Sequence, residues 1–222
     1  MTITPEMIYE DVNRITSDLI KLSLCNKQSF PCISAQDNNI REVSISGNKS
    51  LSVVLKNLPY RDVYNELIRS KIYNIKMLDG ALLQFMYRFK DDALIAHRLA
   101  FFPSPDLEEF QNSPEIYEMD EMYAEVISKG VVVFPFRFDF DVRDDVVRDV
   151  EHPMSHLTLG QYLNCRIPVS SPVTPSEFIR FVLRNFYHTA HNQFCEKIRI
   201  SNMTFTDTIT ANERDIAHLI IS

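Results

Sequence analysis

Glycine is scarce in this sequence, with four glycines in 222 residues. Tight turns must therefore rely on Pro, Asn, Asp and Ser. Continuous apolar stretches are also short, and none approaches the roughly 20 residues that a membrane-spanning helix needs. The amino terminus lacks the basic flank and the apolar segment of a secretion signal. We therefore expect a chain without membrane spans that resides in the cytoplasm.

Cysteine is used sparingly and without a motif. Cys25, Cys32, Cys165 and Cys195 form no CxxC pair and follow no regular spacing. A chain of this length can bury most of its apolar surface without disulfides or metals to hold it together. Reduced thiols are the expected state, in agreement with a cytoplasmic location.

Charge is distributed unevenly along the chain. The formal net charge is −7, and residues 104–125 hold eight acidic side chains and no Lys or Arg. Residues 160–222 are nearly neutral, with six Lys or Arg against five Asp or Glu. The acidic total argues against non-specific coating of DNA, because phosphates repel an acidic surface. A local basic groove stays compatible with this composition.

Helix starts are marked by capping patterns. Thr-Pro-Glu at 4–6 places a cap before a first-turn Pro, and Thr-Pro-Ser-Glu at 174–177 forms a capping box. A second capping box stands at 210–213. The predicted helices cover residues 5–24, 61–73, 116–127, 174 to between 187 and 192, and 211–220.

Strand-like spacing begins at Ala81. Residues 81–90 and 93–103 are extended runs separated by Asp91 and Asp92, which predicts a hairpin. Further strands are predicted at 131–142, 157–169 and 197–205. Residues 25–50 are polar and irregular, so we predict loops there with one short strand at 42–46, followed by a strand at 51–55.

These elements together predict an α+β fold. Strands joined by short connections, with helices collected at the ends, are typical of an antiparallel sheet. We expect a central antiparallel sheet of about five to six strands, with helices packed at the termini and on one face. Residues 1–75 are predicted to pack as a helical and irregular region on a core formed by residues 76–222, in one continuous domain.

Four segments carry a resemblance to a known family: HRLAFFPSP (97–105), FRFDFD (136–141), EHPMSHLTLGQYLNCRIPVSSP (151–172) and FIRFVLRNFY (178–187). With them the chain resembles an uncharacterised bacterial family, domain of unknown function 2290. The resemblance implies a bacterial or phage-borne origin and, by analogy, a place in a defence or mobile-element gene cluster. It also implies that Thr158 stands where many members have a histidine, so this chain lacks one candidate metal ligand.

One candidate site combines carboxylates and histidines. Asp139 and Asp141 share a strand face about 6.6–6.8 Å apart, a spacing that can bracket one cation. Asp139, Asp141 and His156 are the candidate catalytic residues of a metal-dependent phosphoesterase, and His152, His156 and Asp141 are its candidate metal ligands. The same pattern is also typical of a solvated acidic loop beside hydrogen-bonded histidines.

A second candidate is a binding surface between His152 and Arg184. Arg180 and Arg184 lie one turn apart on the capped helix, and Arg166 precedes that helix on a strand. Together with His152 and His156, they can present hydrogen-bond donors to an anion beside the positive end of the helix. The alternative is an ordinary solvated helix face. If the protein binds nucleic acid, this surface is the predicted contact.

Two functions of different class remain. One is an accessory protein of a defence, toxin–antitoxin or mobile-element system that binds a partner protein and needs no cofactor. The acidic charge and the incomplete catalytic set favour it. The other is a phosphoesterase or nuclease that requires a divalent metal and acts on nucleic acid.

Overall fold

The fold is known from a computed structural model that describes residues 2–45, 58–106 and 132–221. The predicted strand at 51–55, the predicted helix at 116–127 and most of the acidic stretch 104–125 lie outside the described residues. The helices are α1 (Pro5–Lys21), α2 (Tyr60–Ser70), α3 (Pro175–Phe186), α4 (His188–Phe194) and α5 (Ala211–Arg214). The strands are β1 (Cys25–Gln28), β2 (Pro31–Gln36), β3 (Ile40–Ile45), β4 (Ile75–Met77), β5 (Leu82–Lys90), β6 (Ala93–Phe102), β7 (Phe136–Asp141), β8 (Ser155–Leu159) and β9 (Ile167–Pro168).

All of these strands join one sheet, and every strand pair is antiparallel. The order is β1-β4-β5-β6-β7-β8-β9, while β3 pairs with the end of β5 that β4 leaves free, and β2 pairs with β3. The predicted α+β class with an antiparallel sheet is confirmed. The sheet has nine strands in the described chain instead of five or six.

The additional strands come mainly from residues 25–36, which were predicted as loops. Three of the four residues of β1 are exposed, so this segment lacks the apolar alternation that marks a strand in sequence. Its pairing with β4 is a tertiary contact that local sequence does not encode.

The β5–β6 hairpin is confirmed at the predicted turn. Asp91 and Asp92 have φ angles of 48° and 66°, both in the left-handed region. Aspartate tolerates this region better than most residues, which explains how the turn forms without glycine.

Two predicted strands are wrong: one is divided into two strands, and the other is not a strand. Residues 157–169 are divided between β8 and β9, because the chain turns at Gly160, where φ is 59°. Residues 198–205 contain no strand. There the backbone N–H groups of Arg199 and Ser201 donate to the side chains of Asp18 on α1 and Ser176 on α3 instead of to a neighbouring strand.

The last predicted helix is shorter than expected. It ends at Arg214 instead of Ile220. Beyond it the chain returns to the sheet edge, where the Leu219 N–H donates to the Pro168 carbonyl over 2.9 Å and forms an isolated bridge with Val169. This edge pairing competes with helical hydrogen bonds for the same backbone groups.

Alternation along the strands gives the sheet two different faces. The core face carries large apolar side chains, among them Phe85, Leu99, Phe136 and Phe138, and is covered by α1 and α3. The opposite face is covered in part by α2, which packs on Leu82, Ala100 and Phe102. The rest of that face is polar, and we call it the open face.

Helices α1 and α3 are joined by a buried carboxylate. Asp11 of α1 is 1% exposed, and it accepts hydrogen bonds from the backbone N–H (3.1 Å) and the hydroxyl (2.9 Å) of Ser176 in the first turn of α3. The Ser201 hydroxyl and Arg14 also contact it. The carboxylate thus satisfies donors that the start of a helix leaves unpaired.

Replacing Asp11 by Ala is expected to destabilise the protein by about 2–4 kcal/mol. The substitution leaves the Ser176 N–H, two hydroxyls and a cation without their buried acceptor. Urea unfolding followed by circular dichroism measures the change. Glu10→Ala, at an exposed neighbour on the same helix, is the control and should change the unfolding free energy by no more than about 0.5 kcal/mol. Equal effects of the two variants would contradict this role of Asp11.

Candidate functional site

A row of polar side chains crosses the open face. Strand pairing places Arg98 of β6 opposite Asp139 of β7, and Asp139 opposite His156 of β8. Arg137 lies two residues before Asp139 on the same strand, so its side chain points to the same face. Four polar side chains therefore meet on three adjacent central strands.

Asp139 is the centre of this row. Its two carboxylate oxygens accept hydrogen bonds from the Nε atoms of Arg98 (2.8 Å) and Arg137 (2.5 Å). Burial by itself raises the pKa of Asp139, but the two guanidinium groups outweigh it and lower the pKa to about 2. Asp139 is therefore an ionised carboxylate that holds two arginines in place.

His156 is buried beside Asp139 and is neutral at pH 7. Its Nδ1–H donates to the Pro153 carbonyl over 2.8 Å, which leaves the lone pair on Nε2, 3.9 Å from an oxygen of Asp139. Burial lowers the pKa of His156 to about 4 despite the nearby carboxylate. The ring of His152 lies 5.0 Å from that of His156, and burial followed by the charge of Arg166 lowers the pKa of His152.

These residues line a groove of about 980 Å³ on the open face. Seven cationic and three acidic residues line the groove, although the net charge of the whole chain is −7. The cations are Lys71, Arg88, Lys90, Arg98, Arg137, Arg143 and Arg166, and the acids are Glu42, Asp139 and Asp141. The groove is therefore a local cationic surface on an acidic protein.

Several polar groups along the open face lack hydrogen-bond partners among the described residues. Buried atoms of this kind are Gln84 Oε1, Arg88 Nε and Thr158 Oγ1. Arg166 is half-buried, and no ion pair or hydrogen bond joins its side chain to the described part of the chain. Because unpaired buried polar groups cost free energy, such a concentration is typical of a binding site.

The predicted metal ligands are brought near one another but do not form a cluster. Arg143 makes a two-pronged contact with Asp141, at 2.7 Å from Nη2 and 3.0 Å from Nε, and Asp139 is held by its own two arginines. Within residues 2–45, 58–106 and 132–221, no group of three or more His, Cys, Asp or Glu side chains is arranged to hold a metal ion.

The structure separates the predicted binding surface into two. His152, His156 and Arg166 line the groove, whereas Arg180 and Arg184 are exposed on α3, which packs on the opposite face of the sheet. The prediction that these five residues form one surface is therefore wrong. The start of α3 is also not available to an external anion, because Asp11 already occupies it.

Sequence reasoning missed Arg98, Arg137, Gln84 and Arg88, which supply much of the groove. The signal was present in the strand alternation. On β7, Arg137 shares the face of Asp139, and on β5 and β6 the polar residues alternate with buried ones. What the sequence does not show is that β6 pairs with β7, which places Arg98 beside Asp139.

The fold and the groove define a class: an α+β protein with a single antiparallel sheet, one face buried by helices and the other bearing a cationic groove. The chain belongs to the family described as an uncharacterized conserved protein, DUF2290, whose model matches residues 24–221. The comparison with curated proteins finds no match, and neither does that with solved structures. No helix in the described part of the chain is long and apolar enough to cross a membrane.

Stability should fall as the pH decreases from about 6.5 towards 4. His97 and His156 are neutral in the folded protein, because burial lowers their pKa values to about 3 and about 4. In the unfolded chain they become protonated near pH 6.5. The unfolded state then binds more protons, so each histidine lowers the unfolding free energy by up to about 1.4 kcal/mol per pH unit.

Urea unfolding at pH 7, 6 and 5 measures this slope. His97→Gln keeps an acceptor for the Val173 N–H, which donates to His97 Nε2 over 2.9 Å, and it should flatten the slope. A slope identical to that of the unmodified protein would show that His97 does not titrate in this way.

Proposed function

We propose that the protein is a cytoplasmic accessory protein that acts by binding a partner protein, and that the open-face groove receives an acidic segment of this partner. The role includes membership of a bacterial defence, toxin–antitoxin or mobile-element system. The four free cysteines, none of them paired in a disulfide, support a reducing location. A toxin, helicase or ATPase gene next to this one would support the same role.

The observation that carries the proposal is the excess of cations in the groove. Seven Arg or Lys against three acids attract an acidic segment, and complementary charge gives both specificity and rapid association. The remainder of the chain is strongly acidic and repels the same ligand. An acidic partner segment should therefore find the groove preferentially.

The unpaired polar groups add a second argument. Gln84 is 5% exposed and its Oε1 has no hydrogen-bond partner in the described part of the chain, and the Arg88 Nε lies 3.7 Å from Glu42 without a hydrogen bond there. A bound peptide offers N–H donors and carboxylate acceptors to these groups. Forming those hydrogen bonds recovers free energy that the unbound protein does not realise.

Charge reversal in the groove should remove the partner. Lys71 and Lys90 are exposed groove residues outside the Arg98–Asp139 row. The double variant Lys71→Glu and Lys90→Glu therefore changes the electrostatic potential of the groove without disturbing the buried contact between Arg98 and Asp139. Affinity for the partner should fall at least tenfold, and more at low salt, since exposed charges act over about a Debye length. The partner is identified by co-purification from the native host and then titrated as a purified protein.

The matched control is the double variant Arg180→Glu and Arg184→Glu on the opposite face, which changes the net charge by the same amount. It should retain the partner. If the control loses the partner and the groove variant keeps it, the interface lies on α3 and the groove proposal is wrong.

The alternative is a metal-dependent phosphoesterase, which one observation favours. The unprotonated Nε2 of His156 lies beside Asp139 at a cationic groove, as a general base near a phosphate would. Against it, arginines already engage the carboxylates of Asp139 and Asp141. We expect no cleavage of single- or double-stranded DNA or RNA with Mg²⁺ or Mn²⁺. Cleavage that both Asp141→Asn and His156→Gln abolish would establish the phosphoesterase instead.

A further inference from the structure

A second, smaller pocket opens at the side of the groove. It has a volume of about 300 Å³, at the lower end of the range for small-molecule sites. Arg98, Arg137 and Arg166 line both the groove and this pocket. The pocket is further lined by Thr158 of β8 and by Gly160, Tyr162 and Leu163 of the β8–β9 turn, and these residues do not line the groove.

The charge at this pocket matches a phosphate monoester. Three guanidinium groups are offset by the single carboxylate of Asp139, which leaves an excess of two positive charges. A phosphate monoester carries a charge of about −1.5 to −2 near pH 7. Only the Nε atoms of Arg98 and Arg137 are used by Asp139, so their terminal nitrogens keep donors without partners in the described chain.

Thr158 supplies an independent indication of a ligand. Thr158 lines the pocket on the sheet face that carries Arg137, it is 6% exposed, and its buried Oγ1 has no hydrogen-bond partner among the described residues. Thr158 lies opposite Arg137 in the β7–β8 pairing. A hydroxyl at this position adds a donor beside the arginines, as expected for a phosphate oxygen.

The rim of the pocket is apolar and exposed. Tyr162 and Leu163 are 75% and 88% exposed, although both are large hydrophobic side chains. The Tyr162 ring lies about 3.5 Å from the position that a Cβ on Gly160 would occupy, so the ring rests against the turn. An exposed aromatic ring next to a phosphate-binding group can stack on a planar base.

We propose that this pocket binds a nucleotide, with the phosphate held by Arg98, Arg137, Arg166 and the Thr158 hydroxyl, and the base stacked on Tyr162. The site shares Arg98, Arg137 and Arg166 with the partner surface proposed above and extends beyond it, since Thr158 and Tyr162 line only this pocket and Lys71 and Lys90 line only the groove. The nucleotide is free, or it is the 5′-phosphorylated end of a strand. Both sources present the same monoester.

Calorimetric titration of the purified full chain tests the site with four probes: AMP, inorganic phosphate, and a short single-stranded oligonucleotide with and without a 5′-phosphate. AMP should bind more tightly than inorganic phosphate, because stacking on Tyr162 adds to the phosphate contacts. A 5′-phosphorylated strand that binds more tightly than AMP, with weak binding of its 5′-hydroxyl form, identifies the strand end. Equal or tighter binding of AMP identifies the free nucleotide.

Three variants locate the binding. Arg166→Gln should weaken AMP at least tenfold, and Tyr162→Ser should weaken AMP but not inorganic phosphate. Thr158→Val should weaken AMP binding severalfold while leaving the urea midpoint unchanged or higher, since the hydroxyl has no hydrogen-bond partner among residues 2–45, 58–106 and 132–221. The opposite-face variant Arg180→Gln is the control and should bind as the unmodified protein does.

Several outcomes overturn the proposal. Undetectable AMP and phosphorylated-strand binding would remove the site, and an acidic peptide that binds here in preference to AMP would make it part of the partner groove. Equal affinity for AMP and inorganic phosphate would remove the base contact.

The variant with Lys71→Glu and Lys90→Glu distinguishes this site from the proposed function. Loss of partner binding in that variant, with AMP binding intact, would show that the nucleotide site does not depend on the partner surface.

Discussion

The antiparallel pairing of β5, β6, β7 and β8 is the constraint on which the rest of the molecule depends. Because side chains alternate along a strand, one register decides the face of every residue in these strands. This register places Phe136 and Phe138 on the face that packs against the helices. It places Arg137 and Asp139 on the open face. The apolar core and the cationic groove are therefore two results of the same pairing.

Burying Asp139 between Arg98 and Arg137 carries a desolvation cost. A buried ion pair is often no more stable than an apolar replacement of similar volume. Here the arrangement holds two arginines with their Nε atoms engaged and their terminal nitrogens directed elsewhere. Such orientation is useful for ligand recognition, since less side-chain freedom is lost when the ligand binds.

On the core face, a buried carboxylate has a structural role. Asp11 is buried at the start of α3, where it satisfies donors of a helix that the chain reaches 165 residues later. Asp11 stabilises the fold, whereas Asp139 orients two arginines. Both are aspartates, and both are buried. Only their partners distinguish the two: backbone and hydroxyl donors at Asp11, and mainly arginines at Asp139.

Local sequence determined the starts of α1, α3 and α5, the β5–β6 hairpin and the α+β class, because caps, turn residues and alternation act over a few neighbours. The tertiary structure decided the strand nature of residues 25–36, the loss of the predicted strand at 197–205 and the separation of Arg180 from Arg166. It also decided the meeting of Arg98 with Asp139, two residues 41 positions apart. These features depend on which segments pair across the sheet and which face a helix covers, and such long-range choices leave no periodic signal in the chain.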